Sequence, residues 1–155
     1  MVAAIRPDDW NVALLLHVLG AMLLVGGIAT ALVAQLVGWR RETPRDALVY
    51  AQVTFRTLLV VAVPGWLLMR FAGEWIASKE GFDGGGSPAW LDVGYAVAEP
   101  GIVLIAVSAL LAGLAVRRMR AGRETAALTR VAGVLTAVLL VAYVVAIWAM
   151  TTKPG

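Results

Sequence analysis

Residues Val12–Val37 read VALLLHVLGAMLLVGGIATALVAQLV, twenty-six residues without a lysine, arginine, aspartate or glutamate. An α-helix rises about 1.5 Å per residue, so about 20 apolar residues already cross the hydrocarbon core of a bilayer. The stretch therefore predicts a membrane span. Three more of the same kind follow at Val53–Trp75, Trp90–Val116 and Ala126–Met150, and together the four take up most of the 155 residues. Composition agrees: 61% of the chain is hydrophobic and its mean hydropathy is +0.84, where a soluble domain holds roughly 45–50% apolar residues. What remains outside the spans is too short for a soluble domain of ordinary size, so function has to lie in the bundle, its loops or an oligomer of it.

The segments around the spans set the expected topology. Ahead of the first run stands MVAAIRPDDW, whose early Arg6 invites comparison with a signal peptide, but the apolar run is too long and no small-residue cleavage site interrupts it, so the first span is read as retained. The segment after span one carries Arg40, Arg41 and Arg45, and the one after span three carries Arg117, Arg118, Arg120 and Arg123. The segment between spans two and three, SKEGFDGGGSP, offers only Lys79 against Glu80 and Asp83. Positive charge stays on the cytoplasmic side, so the basic loops 38–50 and 117–125 are expected inside the cell membrane and both termini outside. Trp10, Trp75, Trp90 and Trp148 would then all fall at the outer interface, where indole rings settle. The excess of arginine points to lipid headgroups as partners, not to nucleic acid.

Short connections predict an all-α, up-down four-transmembrane-helix bundle forming a single domain over residues 1–155. Close packing is expected at the small residues Gly20, Gly26, Gly27 and Ala31, at Gly94, Gly101, Ala109 and Gly113, and at Gly133 and Ala137, with the four-residue spacing of Ala109/Gly113 and Gly133/Ala137 suited to backbone approach. Two Pro-Gly pairs, Pro64-Gly65 and Pro100-Gly101, interrupt spans two and three. Each proline removes a backbone donor, and Pro100 is expected to free the carbonyl of Ala96, so the second and third helices should be kinked and open space between them. The glycine loop GFDGGGS lacks the strand and the Lys-Ser/Thr of a phosphate cradle and reads as a flexible connection.

Charges inside a span are costly and face the bundle or find partners. Arg56 and Arg130 lie near the basic ends, where long side chains reach the headgroups. The other candidates share one half of the membrane: His17 lies roughly 7 Å below the start of span one, Glu99 roughly 12–14 Å below Trp90, Arg70 roughly 7 Å below Trp75, and Glu74 at the boundary. Arg70/Glu74 and Tyr95/Glu99 each stand four apart, on one helix face. Arg70 is thus expected to meet Glu99 with Tyr95 and His17 nearby. Such a cluster is either a structural clasp or a site for a small ligand or a proton, and a small transporter or proton-conducting module would use Glu99.

His17 is the chain's single histidine. A neutral imidazole inside a span suits haem iron, and Gly20 would leave room for a flat porphyrin, which makes haem b a candidate cofactor. The second axial ligand would be Met22, Met69 or Met150, or the same histidine of a second copy in a homodimer; another membrane protein is the other partner to expect. Without haem, a bond from His17 to Glu99 or Tyr95 is expected. The absence of cysteine excludes disulfides and thiolate metal sites. Copper(I) would suit Met22, Met69, Met119 and Met150, but these show no clustered spacing. Neither Ser87 nor Ser108 has an adjacent base, and no HExxH or paired acidic motif occurs, so an enzyme is not the expected class.

The segment Leu16–Gly27, LHVLGAMLLVGG, together with the ending Ala149-Met150-Thr151-Thr152-Lys153-Pro154, resembles bacterial four-span integral membrane proteins of a domain-of-unknown-function family. That resemblance implies the fold and no activity. More remotely, His17 followed by Gly26 and Gly27 is similar to the first span of copper resistance protein D and of HemJ-type protoporphyrinogen oxidases, which implies copper or haem handling. The tryptophan those families carry before the glycines is Leu24 or Val25 here, and a second histidine is lacking.

Overall fold

The computed structural model describes residues 10–81 and 88–152. Arg6, most of the glycine loop with Ser87, and Lys153-Pro154 lie outside the described residues. Among the described residues, five α-helices and one π-helical turn make up the architecture: α1 (Asn11–Trp39), α2 (Pro44–Thr57), the π turn (Leu58–Ala62), α3 (Val63–Glu80), α4 (Ala89–Arg120) and α5 (Ala126–Thr152). The segment Pro44–Glu80 is one continuous second span, so four helices are long and apolar enough to cross a membrane. They stand in a ring in chain order, with α1 against the second span, α2 against α4, α4 against α5, and α5 back against α1. This is the all-α four-helix bundle that the span pattern predicts.

The second span is longer than its apolar run. Thr43 caps α2 by accepting the N–H of Asp46 at 3.3 Å, Pro44 occupies the first turn, where a missing N–H costs nothing, and Asp46 faces the positive end of the helix. Residues 44–50 of the loop expected at 38–50 are therefore helical, and Gly38 and Trp39 belong to α1. At the other end Gly81 closes α3 at φ 77°, a left-handed conformation that glycine adopts without a Cβ penalty.

Why the helices pair is visible in which positions are buried. In α4 they include the row Gly94, Ala98, Gly101, Ile105, Ser108, Ala112 and Ala115, and in α5 the row Ala132, Thr136, Leu139, Tyr143 and Ala146. Steps of four and three alternate, the repeat of a left-handed helix pair. A Cβ on Gly94 would meet Met150 and one on Gly101 would meet the Tyr143 hydroxyl at 2.1 Å, which fixes the antiparallel register and sets Ser108 opposite Thr136. The first helix keeps the same beat through Ala13, Gly20, Leu24, Gly27, Ile28, Ala31 and Ala34. Along the second span, Thr54, Leu58, Ala62 and Gly65 step by four, four and three. That is one residue too many for the repeat, and the π turn absorbs it through the wider bond from Val63 N–H to Leu58 O. The irregularity anticipated at Pro64 therefore takes the form of a π turn just before it, while Pro100 lies inside an uninterrupted α4.

The small residues divide into three kinds. Gly20 and Gly65 bring backbones together: a Cβ on Gly20 would lie 2.3 Å from Met69 N, and one on Gly65 would lie 2.6 Å from Leu24 N. Gly113 and Gly133 do not pack on each other as their spacing suggested. They receive aromatic rings, Phe55 at Gly113 and Trp39 at Gly133. Gly26 meets nothing within 4 Å. The outer wall is apolar, with Val60 and Phe71 each 71% exposed, while the fully buried interior includes the polar Thr54, Ser108 and Thr136. A wall of that kind is stable against lipid and not against water. The protein is a multi-pass integral membrane protein. All seven loop arginines, Arg40 to Arg45 and Arg117 to Arg123, are exposed at one end of the bundle, called here the basic end.

Two glycine substitutions separate these roles. Gly20→Ala drives a methyl into the backbone of α3, which cannot turn aside as a side chain would, and should cost about 1–3 kcal/mol in detergent unfolding. Gly26→Ala meets open space and should be neutral or stabilising by up to about 1 kcal/mol, since alanine is the better helix former.

Candidate functional site

In the half of the bundle away from the basic end, α3 and α4 meet at few positions, and polar side chains span the gap. Arg70 and Glu99 each stand ten residues from the helix ends Glu80 and Ala89, about 15 Å along the axis, so they lie at matching depth. Arg70 Nε donates to Glu99 Oε1 at 2.9 Å. One turn further along α3, Glu74 accepts from Arg70 Nη1 through Oε2. Tyr95 O–H donates to that same Glu74 Oε2 at 3.1 Å. The guanidinium lies 5.0 Å from the centre of the Tyr95 ring, within cation–π range. Arg70 is thus held from three sides.

Its partners are more open. The Arg70 side chain is 25% exposed, those of Glu74 and Glu99 54% and 56%. The cluster is a surface feature of the bundle at membrane depth, carrying two carboxylates for one guanidinium. Each carboxylate gives Arg70 one oxygen, and Glu74 Oε1 and Glu99 Oε2 enter none of these bonds. Just inside the cluster, Trp66 Nε1 donates to the carbonyl of Ala98 at 2.9 Å, two residues along from the Ala96 carbonyl that Pro100 was expected to free. Gly101 gives Tyr143 the space its ring needs. The four residues Arg70, Glu74, Tyr95 and Glu99 are therefore brought together, with Pro100 and Gly101 directly behind Glu99.

His17 is not among them. Its Nδ1 lies 2.8 Å from the carbonyl oxygen of Met69, and its ring fits against Gly73, on the face of α3 that packs on α1. A carbonyl only accepts, so Nδ1 is the donor, and in a neutral imidazole Nε2 keeps its lone pair. That tautomer suits an axial haem nitrogen, oriented by a backbone carbonyl as metal-bound imidazoles are. The second ligand is what one chain does not supply. Met22 is 68% exposed and, five residues on, points some 140° away around the helix. Met150 lies with its Cε against Gly94, and Met69 packs on the central apolar core. A six-coordinate haem within a single chain does not fit this arrangement. Among the described residues, no group of three or more His, Cys, Asp or Glu side chains could hold a metal ion.

At the basic end the structure holds polar groups that hydropathy passes over. Gln35 is 7% exposed, and neither its Oε1 nor its Nε2 has a hydrogen-bond partner. Thr54, also buried, donates to the Ala31 carbonyl at 3.4 Å. Arg56 and Arg130 are exposed, as their depth predicts.

The fold and the cluster define a class: a four-span integral membrane protein with an ionic group between its second and third spans. No family model, curated protein or solved structure matches this chain.

Charge counting gives an unequal outcome for two variants. Arg70→Met leaves two carboxylates facing each other and should lose about 1–3 kcal/mol of stability, less than a fully buried pair because both acids are half exposed. Glu99→Gln keeps Arg70 paired with Glu74 and should lose under about 1 kcal/mol. Unfolding of both variants in mild detergent checks the difference; equal losses would contradict the count.

Proposed function

We propose that this membrane protein uses Arg70, Glu74, Tyr95 and Glu99 to bind a small cationic group, an organic ammonium or a proton, reaching the cluster from the outer side of the cell membrane. One observation carries the reading: a single guanidinium answers for two carboxylates, and Glu74 Oε1 and Glu99 Oε2 remain outside its bonds. In a medium of low dielectric constant an uncompensated negative charge draws a counter-charge strongly. Tyr95 adds an aromatic face of the kind that cations settle on. A carrier or proton-conducting role would begin from the same step at Glu99.

A second reading, the structural clasp, is favoured by a separate fact. The bonds from Arg70 to Glu99 and from Tyr95 to Glu74 tie α3 to α4 where the two helices otherwise touch little. An outward-facing cluster is supported by the basic loops, which the positive-inside rule puts in the cytoplasm, and by Trp10, Trp75, Trp90 and Trp148, which all stand at the opposite end.

Fluorescence anisotropy of ethidium, a lipophilic cation, with the protein in nanodiscs distinguishes the two readings. Binding should be saturable and at least tenfold weaker in Glu99→Gln. Affinity unchanged in Glu99→Gln leaves the clasp. Since the chain has no cysteine, orientation is read from single-cysteine variants: a membrane-impermeant maleimide should label Ser78→Cys in intact cells and spare Arg120→Cys. The reverse pattern would turn the topology over.

A further inference from the structure

At the basic end, a cavity of about 210 Å³ lies among α1, α2, α4 and α5. It exists because seven of its fifteen lining residues are alanine, contributed by all four helices, where larger side chains would have closed the space. Into this apolar chamber projects the unpartnered amide of Gln35. Two buried threonines nearby lean on backbone carbonyls, Thr54 on Ala31 at 3.4 Å and Thr136 on Ala132 at 2.7 Å. Gln35 does not, although a primary amide has two donors and one acceptor oxygen and is costly to leave unpaired away from water.

Two aromatic walls are held in place. The Trp39 ring is lodged against Gly133, where a Cβ would lie 2.3 Å from it. Tyr50 backs onto Gly38 and receives a hydrogen bond from Arg41 at 3.1 Å, with that guanidinium 5.3 Å above its ring. The lining includes Gly38 and Trp39 at the end of α1, Ala47 at the start of α2, Met119 at the end of α4 and Ala126 at the start of α5, so the chamber lies at the membrane face, and the exposed Arg130 lines its rim with its charge open to solvent.

We propose that this chamber binds a small, flat, uncharged molecule with a hydrogen-bond donor beside an acceptor, the edge of a lactam or imide, which pairs reciprocally with the Gln35 amide. Gln35 reads the edge, Trp39 and Tyr50 flank the ring, and the alanines accept its apolar body. An apolar cavity of about 150 Å³ takes benzene, so the volume here suits a bicyclic ring. The site is independent of the ionic cluster at the opposite end.

The probe is 2-quinolinone, measured by equilibrium dialysis against the full chain in nanodiscs, with empty discs subtracted. Saturation near one molecule per chain is expected, at least tenfold tighter than naphthalene, which has the same shape and no polar edge, and at least tenfold tighter than N-methyl-2-quinolinone, which lacks the donor. Gln35→Leu should weaken 2-quinolinone at least tenfold and leave naphthalene unchanged or tighter. Ala51→Leu, which fills the chamber, should abolish both. Equal affinity for the three probes in the wild-type protein overturns the proposal without recourse to any variant. So does binding that Gln35→Leu leaves intact, or the absence of saturable binding, which would make the chamber a water pocket only.

Discussion

A bilayer offers no hydrogen bonds, and most of this structure follows from that. The backbone meets the constraint by being helical almost throughout the described residues. Four interior side chains meet it by borrowing carbonyls: His17 from Met69, Trp66 from Ala98, Thr54 from Ala31 and Thr136 from Ala132. Three of these bonds join different helices and therefore also set how the helices lie. His17 fixes α1 on α3, Thr54 fixes α2 on α1, and Trp66 fixes α3 on α4. Where α3 and α4 otherwise meet little, the partner cannot be a carbonyl alone, and an ion pair takes its place.

Van der Waals contact supplies the rest, since lipid is as apolar as the helices and gives no hydrophobic drive for them to associate. Two solutions appear side by side. Between α1 and α3, glycine faces backbone, which brings the axes close at Gly20 and Gly65. Between α4 and α5, and again at Gly113 and Gly133, glycine faces a large side chain, so a ring or a thioether methyl fills the hollow. The first needs matching phase over the whole contact. That requirement explains the π turn, which absorbs the one surplus residue before Gly65 and lets the second span follow α1 on both sides of it.

Length and charge made the spans legible in the sequence, and the spacing of Arg70 with Glu74 and of Tyr95 with Glu99 made the cluster legible, because a charge at depth restricts its partners to residues at the same depth. The start of α2 was not legible from hydropathy. Thr43, Pro44 and Asp46 are polar or helix-breaking in composition and helix-starting only in that order. Which glycines receive rings depends on register between helices, and nothing in one helix states it. His17 turned to a carbonyl instead of the cluster because positions 13, 17, 20 and 24 share the seam of α1, a phase that could have been counted in advance. Gln35 escaped notice as one uncharged residue near the end of an apolar run. Its isolation arises from alanines on four separate helices, a coincidence visible only after folding.

Within the cluster, Glu99 is the carboxylate that charge balance needs least. Arg70 already has Glu74 one turn away on its own helix, the spacing at which a helical ion pair forms unaided. Tyr95 already links α4 to that pair through Glu74. With Glu99 as glutamine, the guanidinium would stay neutralised and α3 would stay joined to α4, and the local charge would be balanced. The carboxylate turns a balanced pair into an excess of one negative charge, more than half exposed, beside the proline that lies within α4. A clasp gains a single hydrogen bond from that excess. A site that must attract and release a positive charge needs it, and on this ground Glu99 is the residue of the cluster whose presence the fold alone leaves unexplained.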